Sequence, residues 1–282
     1  MRSAATRISL LILLALTGDA SASPAAVPQL AAHRAVYSLS LAHAETKAGL
    51  NDVQGKLVLE VAGSACEGWT SNMRVVNRLD SRTGKVSLLD TRSSSWESGP
   101  GDSMEFTTQR FVNGEQELDL RGRAEHGENG GVVRLELPQP SETELPAGTV
   151  FPVEHTRRIL AAALNGNKRD STMVYDGNED QQVLTAITFI GNRNAPNTVE
   201  VKTEAKGAAE LPKLASWPVT IGYFKNTPDP DADGEQMPEH QVSFTMFENS
   251  VATDLILDYG DFTLKGDLIQ LDFLPQDGCP TR

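Results

Sequence analysis

The chain is short of cysteine, of aromatic residues, of basic residues and of long apolar runs, and each shortage excludes something. Cys66 and Cys279 are the two cysteines among 282 residues, and no C-x-x-C exists, so a thioredoxin-like redox centre is excluded. Three Trp, nine Phe and four Tyr serve the whole chain. An outer-membrane barrel of about fourteen strands would want on the order of two aromatics per strand for its interfacial girdles. Lys and Arg number 25 against 38 Asp and Glu, a formal charge of −13. Such a chain has no basic surplus to displace counterions from nucleic acid or to dock on anionic head groups. Its partner is expected to be neutral, apolar, cationic or locally complementary. After residue 22 the longest apolar run is 159–164, far below the ~20 residues of a membrane-spanning helix.

Catalytic signatures are missing as well. The chain has no G-x-S-x-G, S-x-x-K, H-E-x-x-H or Gly-rich phosphate loop, so neither an activated serine nor a zinc hydrolase is indicated. His33, His43, His126, His155 and His240 are scattered. Glu154 and His155 could form an acid/base pair, but adjacent residues on a helix diverge, which favours structural or surface roles. The sequence reads as a non-enzyme.

What is present begins with a leader. Arg2 and Arg7 form a basic region, 8–16 an apolar stretch and Ala20-Ser21-Ala22 an A-x-A site, so residues 1–22 are expected to be a cleaved secretion signal and the rest one soluble domain, 23–282. Cleavage removes Arg2, Arg7 and Asp19, leaving 23 Lys and Arg against 37 Asp and Glu, a charge of −14. Export to an oxidising compartment turns the two cysteines into an expected disulfide, Cys66–Cys279. Intramolecular pairing has one connectivity; pairing between molecules is the alternative.

Most of the chain alternates with a period of two, apolar on one face and polar on the other, as half-buried strands do. Such runs lie at 37–41, 57–61, 69–75, 86–89, 104–112, 117–123, 132–137, 172–175, 183–190, 199–204, 218–224, 242–247, 254–259 and 262–273. Gly, Asn, Asp and Pro turns separate them. The expectation is a mainly β fold of about fourteen strands in a curled, antiparallel sheet, because a sheet this long must curl or close to manage its edges.

One segment breaks the period. Pro152 suits a first helical position, Glu154 the N-terminal dipole, and Asn165-Gly166 a stop. Val153, Thr156, Leu160 and Leu164 recur at helical spacing. They predict a helix over 153–164 that either packs over one end of the sheet or acts as a lid on an apolar cavity. A second motif, Asp229-Pro230-Asp231-Ala232-Asp233-Gly234, reproduces the first half of a calcium loop, with Asp229, Asp231 and Asp233 as candidate metal ligands. His240 holds the twelfth position, and Pro228, Pro230 and Pro238 oppose flanking helices. A solvated acidic loop is the plainer reading.

Several strings occur in order across nearly the whole chain: His33-Arg34-Ala35-Val36-Tyr37-Ser38-Leu39, Cys66-Glu67-Gly68-Trp69-Thr70, Ser95-Trp96-Glu97-Ser98, the run from Leu145 through Pro146-Ala147-Gly148-Thr149-Val150-Phe151-Pro152 to Thr156, Tyr175-Asp176-Gly177, Trp217-Pro218-Val219 and Asp258-Tyr259-Gly260-Asp261-Phe262. The ordered set resembles the EipB-type cell-envelope integrity proteins, exported proteins of alphaproteobacteria. The resemblance implies a periplasmic, spiral-like open β-barrel with a disulfide matching Cys66 and Cys279. It also implies a role in envelope integrity and stress resistance, with a tetratricopeptide-repeat periplasmic partner. It brings no established active site. Asn249-Ser250 stands where the family pattern leads one to expect Asn-Gly, and Gly101-Asp102 inverts an expected Asp-Gly. The non-enzymatic reading is scaffolding or binding; the alternative is a carrier of an apolar envelope ligand such as a lipid or lipoprotein.

Overall fold

The computed structural model describes residues 29–177, 181–201, 203, 205–226, 236–276 and 279. One sheet of 15 strands dominates it. The first eight are β1 (His33–Ala44), β2 (Leu50–Ser64), β3 (Gly68–Ser81), β4 (Val86–Glu97), β5 (Ser103–Val112), β6 (Glu115–Gly127), β7 (Gly130–Leu137) and β8 (Ser141–Leu145). After β9 (Thr149–Val150) and the helix α1 (Pro152–Leu164) come β10 (Arg169–Val174), β11 (Leu184–Ile190), β12 (Ser216–Lys225), β13 (His240–Phe247), β14 (Ala252–Asp258) and β15 (Phe262–Phe273).

The topology is two meanders, the start of the first paired with the end of the second. The order runs β8 back to β1, then β15 back to β9. Every pairing is antiparallel except the short parallel β9–β10 contact. The two edges, β8 and β9, are therefore neighbours in sequence, separated by Pro146-Ala147-Gly148. The sheet curls until these edges face one another across a single seam.

Alternation determines which face turns inward. On β1, Ala35, Tyr37 and Leu39 are buried while Arg34 is exposed. Their partners Leu59, Leu57 and Gly55 on β2 continue the inner face. Three apolar clusters line it. One surrounds α1 with Trp69, Trp217, Val219, Ile221 and Met246. A second lies under Tyr37, Phe247 and Leu268. A third bridges the seam, joining Met104, Phe106, Leu120 and Leu145 to Phe151 and Tyr175. Phe106 and Tyr175 meet edge to face at 5.7 Å between centroids. Gly177 makes this approach possible: its φ is +72°, and a Cβ there would lie 2.6 Å from the Phe106 ring.

The structure departs from the sequence-based expectation at three places. Residues 199–201 and 203 form no strand, although Val199 and Val201 alternate with polar residues. β11 and β12 already pair directly, with Ile190 opposite Val219, so the excursion between them has no ladder to join. Val201 instead packs on the second cluster, and a 3₁₀ helix, Lys206–Lys213, follows and buries Ala208 and Leu211. β8 escaped the periodicity because four of its five residues are exposed and polar. β9 is two residues long, too short for any pattern.

Ser250 holds the β13–β14 turn in the left-handed region at φ +72°, with its N–H donating to the Phe247 carbonyl at 2.8 Å. A residue with a Cβ pays roughly 1–2 kcal/mol for that conformation. Ser250→Gly should therefore raise stability by about 1 kcal/mol, after allowance for the greater freedom of glycine in the unfolded chain, seen as a higher urea midpoint with an unchanged slope. Leu160, fully buried in the α1 cluster, should cost about 2–5 kcal/mol when replaced by Ala in the same titration.

Candidate functional site

The seam is where side chains from distant parts of the chain are forced together. α1 begins two residues after β9, so its first, unpaired N–H groups face the sheet interior rather than water. Its N-cap, Phe151, supplies no side-chain acceptor. Glu97, the last residue of β4 and only 1% exposed, supplies one. Its carboxylate accepts the Val153 N–H at 2.9 and 3.0 Å and the Glu154 N–H at 3.4 Å. Burial pushes the Glu97 carboxyl up to about 7; the two backbone donors pull it down without offsetting desolvation.

One turn into the helix, His155 and Arg158 point toward β10 and β11. Arg158 Nη2 donates to Asp170 Oδ1 at 3.1 Å, and Asp170 lies directly across the ladder from Thr188. Among the described residues, His155 Nε2, Arg158 Nε, Asp170 Oδ2 and Thr188 Oγ1 are buried without a hydrogen-bond partner. The His155 ring stands edge-on to Tyr223 at 6.2 Å, and Tyr223 stacks on His240 at 4.5 Å. Burial lowers His155 to about 4, and it lowers His240 as well. Both imidazoles are therefore neutral near pH 7. Glu154 and His155 are not brought together: Glu154 pairs with Arg157 at 3.2 Å, while His155 turns inward.

The predicted helix residues fall where a packing role would put them. Val153 and Leu160 are buried in the first cluster, and Leu164 packs against it. Thr156 Oγ1 donates to the Pro152 carbonyl at 3.0 Å. The Glu97 cap and the Arg158–Asp170 pair tie the helix to the wall, so lifting it as a lid would break both. Asp229, Asp231 and Asp233 lie outside the described residues; among those described, no three His, Cys, Asp or Glu are grouped to hold a metal.

At the same end of the barrel, beside the Trp69–Glu97 register pair, the β2–β3 turn and the C-terminal segment are tied together. Cys66, in the β2–β3 turn, is joined to Cys279, with Cα atoms 5.7 Å apart across 213 residues of sequence. Ser64 Oγ accepts from the Cys66 and Glu67 N–H groups. Gln276 Nε2 donates to the Leu30 and Gly63 carbonyls at 3.2 and 3.1 Å. The C-terminal segment thus runs along the barrel end before it reaches the disulfide.

Sequence reasoning did not find Glu97 as a cap or the His155–Tyr223–His240 row. A glutamate at a strand end carries no local sign that it will cap a helix more than 50 residues later. Tyr223 and His240 are an antiparallel register pair, which sequence reveals only once the pairing is known.

A curled single-sheet barrel, with one edge-sealing helix and a disulfide joining the β2–β3 turn to Cys279, defines a β-barrel-like protein. The chain matches the EipB-like family over residues 24–275 and belongs to it. A relative, the cell envelope integrity protein EipB of Brucella abortus (strain 2308), is 34% identical over 253 residues, covering 89% of this chain and 87% of its own. The crystal structure of a beta-barrel-like protein of domain of unknown function DUF1849, also from Brucella abortus, superposes with a TM-score of 0.79 at 32% identity, over 88% of this chain and 99% of that one.

Glu97 makes a pH signature. Its folded pKa, about 7, exceeds the ordinary glutamate value, so the folded state holds an extra proton between about pH 4.3 and 7. The stabilisation linked to it is complete below that window and is lost as pH rises through 7, by roughly 3 kcal/mol. His155 acts oppositely, losing stability as pH falls toward 4. In urea unfolding the two opposed slopes should nearly offset in the wild type between pH 5 and about 6.5, whereas in Glu97→Gln the His155 slope alone remains and stability should rise with pH over that range.

Proposed function

We propose that the protein is exported with cleavage of residues 1–22, resides in the periplasm and supports cell-envelope integrity without catalysis, as a scaffold or binding protein. The observation that carries this reading is the relative named as a cell envelope integrity protein, aligned over 89% of the chain. The pairing of Cys66 with Cys279 supports an oxidising compartment. The neutral state of buried His155 and half-buried His240 supports a non-catalytic role. By family resemblance the partner is a tetratricopeptide-repeat periplasmic protein.

Scaffolding is favoured over carriage because the apolar residues of α1 are spent on the wall. Val153, Ile159, Leu160 and Ala163 pack into one cluster with Trp69 and Trp217. A carrier of an apolar ligand would have to release them and leave the Glu97 cap empty. Lipid that co-purifies with the wild type, and is lost in a folded, equally abundant Leu160→Ser variant, would select the carrier reading instead.

Mass spectrometry without reductant on periplasmic extract should find the Cys66–Cys279 bond. Loop-closure entropy across 213 residues sets a ceiling of about 5 kcal/mol on its contribution. Cells lacking the gene should become sensitive to cell-wall antibiotics and detergent. Complementation by Cys66→Ser/Cys279→Ser should be weaker than by the wild type, with lower protein abundance. Free thiols in the extract, or full resistance in cells without the gene, would defeat the reading.

A further inference from the structure

On the outer wall, opposite the packed clusters, a cleft of about 270 Å³ crosses β3 to β6. Two adjacent cross-strand rows build it. Thr70, Trp96, Glu105 and Arg123 lie side by side in one, and Asn72, Ser94, Thr107 and Arg121 in the next. Trp96 is 39% exposed, whereas Trp69 and Trp217 are 4% and 2% exposed.

A single exposed aromatic is ordinary on a protein surface; three features make this one different. The indole is seated: a Cβ at Gly68, whose φ is +89°, would lie 2.8 Å from two of its ring carbons, so glycine there lets the ring lie against the β3 backbone. The polar groups around it are of both signs and both hydrogen-bonding senses. Some are already fixed, Ser94 donating to Asn72 at 2.7 Å and Arg123 to Glu136 at 3.1 Å. Others are available, since Glu105 and Arg121 have no hydrogen-bond or ion-pair partner among the described residues.

We propose that this cleft is a saccharide-binding subsite, with Trp96 as the stacking platform and Glu105 and Arg121 as the hydroxyl-directed groups. A pyranose ring has an apolar C–H face and a rim of hydroxyls. It pairs its face with the electron-rich ring face and its rim with mixed donors and acceptors. Competing ligands fit less well. Glu105, Glu136 and the −13 charge of the chain disfavour polyanions. The cleft is also much smaller than the surface a stable protein partner covers. This inference goes beyond the scaffold reading and does not depend on it, because it is tested on the purified protein.

The probes are N-acetylglucosamine trimer and maltotriose, titrated into the full mature chain by calorimetry and by tryptophan emission. The expected result is millimolar binding of at least one trimer, with an emission change that comes from Trp96 because the other two indoles are buried. Trp96→Phe should abolish the emission change, Trp96→Ala should abolish the heat, and Arg121→Ala should weaken binding about tenfold. Circular-dichroism melts confirm that each variant is folded. Absence of heat and emission change with both trimers overturns the proposal, as does undiminished binding by folded Trp96→Ala. Loss of binding here with an intact envelope phenotype, or the reverse, separates this site from the envelope role.

Discussion

The carboxylate of Glu97 is the point on which closure of the sheet depends. A curled sheet leaves two edges, and here they are consecutive strands that cannot pair fully, because β9 is only two residues long. The chain seals the gap with a helix whose first N–H groups would otherwise be buried without acceptors, a cost of about 1–3 kcal/mol for each. Glu97, from the end of β4, accepts two of them. Once the helix start is satisfied, Phe151 can enter the third cluster with Phe106, Leu145 and Tyr175, and the remaining helix can bury Ile159 and Leu160 in the first.

The cap comes with a conflict of forces. Backbone donors favour the ionised carboxylate, while burial disfavours it, and burial wins. The same balance acts on His155, which is neutral because desolvation outweighs the nearby Asp170. Polar groups at the seam are thus held uncharged, bonded to backbone or, as with Arg158 and Asp170, paired with an opposite charge. Further charged pairs occupy the outer wall. Asp90 there binds Arg74 and Arg92 at 2.8 and 2.7 Å and is held down at about 2.

Inner-face groups are spent on closure: α1 on the edge gap, the 3₁₀ helix Lys206–Lys213 on the second cluster, and the tail on the disulfide end. An exposed indole, Trp96, remains on the outer wall, while among the described residues His155, Arg158, Asp170 and Thr188 keep buried polar atoms without partners at the seam.

Local rules were enough for much of the architecture. The period-two runs marked thirteen of the strands because each has one buried face, and Pro152, Glu154 and Asn165-Gly166 marked α1 because helix ends have local chemistry. Counting left one intramolecular pairing for the two cysteines, with pairing between molecules as the alternative, and the fold brings Cys66 and Cys279 together. Where local pattern and tertiary neighbours disagreed, the pattern misled. Val199 and Val201 alternate like a strand but have no edge to pair with, and Ser141–Leu145 pairs as a strand without an apolar face because β7 offers its backbone. The αL turn at Ser250 shows the fold imposing on serine a conformation that the sequence suggested for glycine. The sequence by itself determined a strand-rich chain with one helix and one possible disulfide, since those follow from side-chain period, terminal residues and counting. Only the tertiary structure decided that β8 and β9 meet at a seam, that Glu97 caps α1, and that Trp96 faces Glu105 and Arg121, because register and closure depend on contacts between residues far apart in the chain.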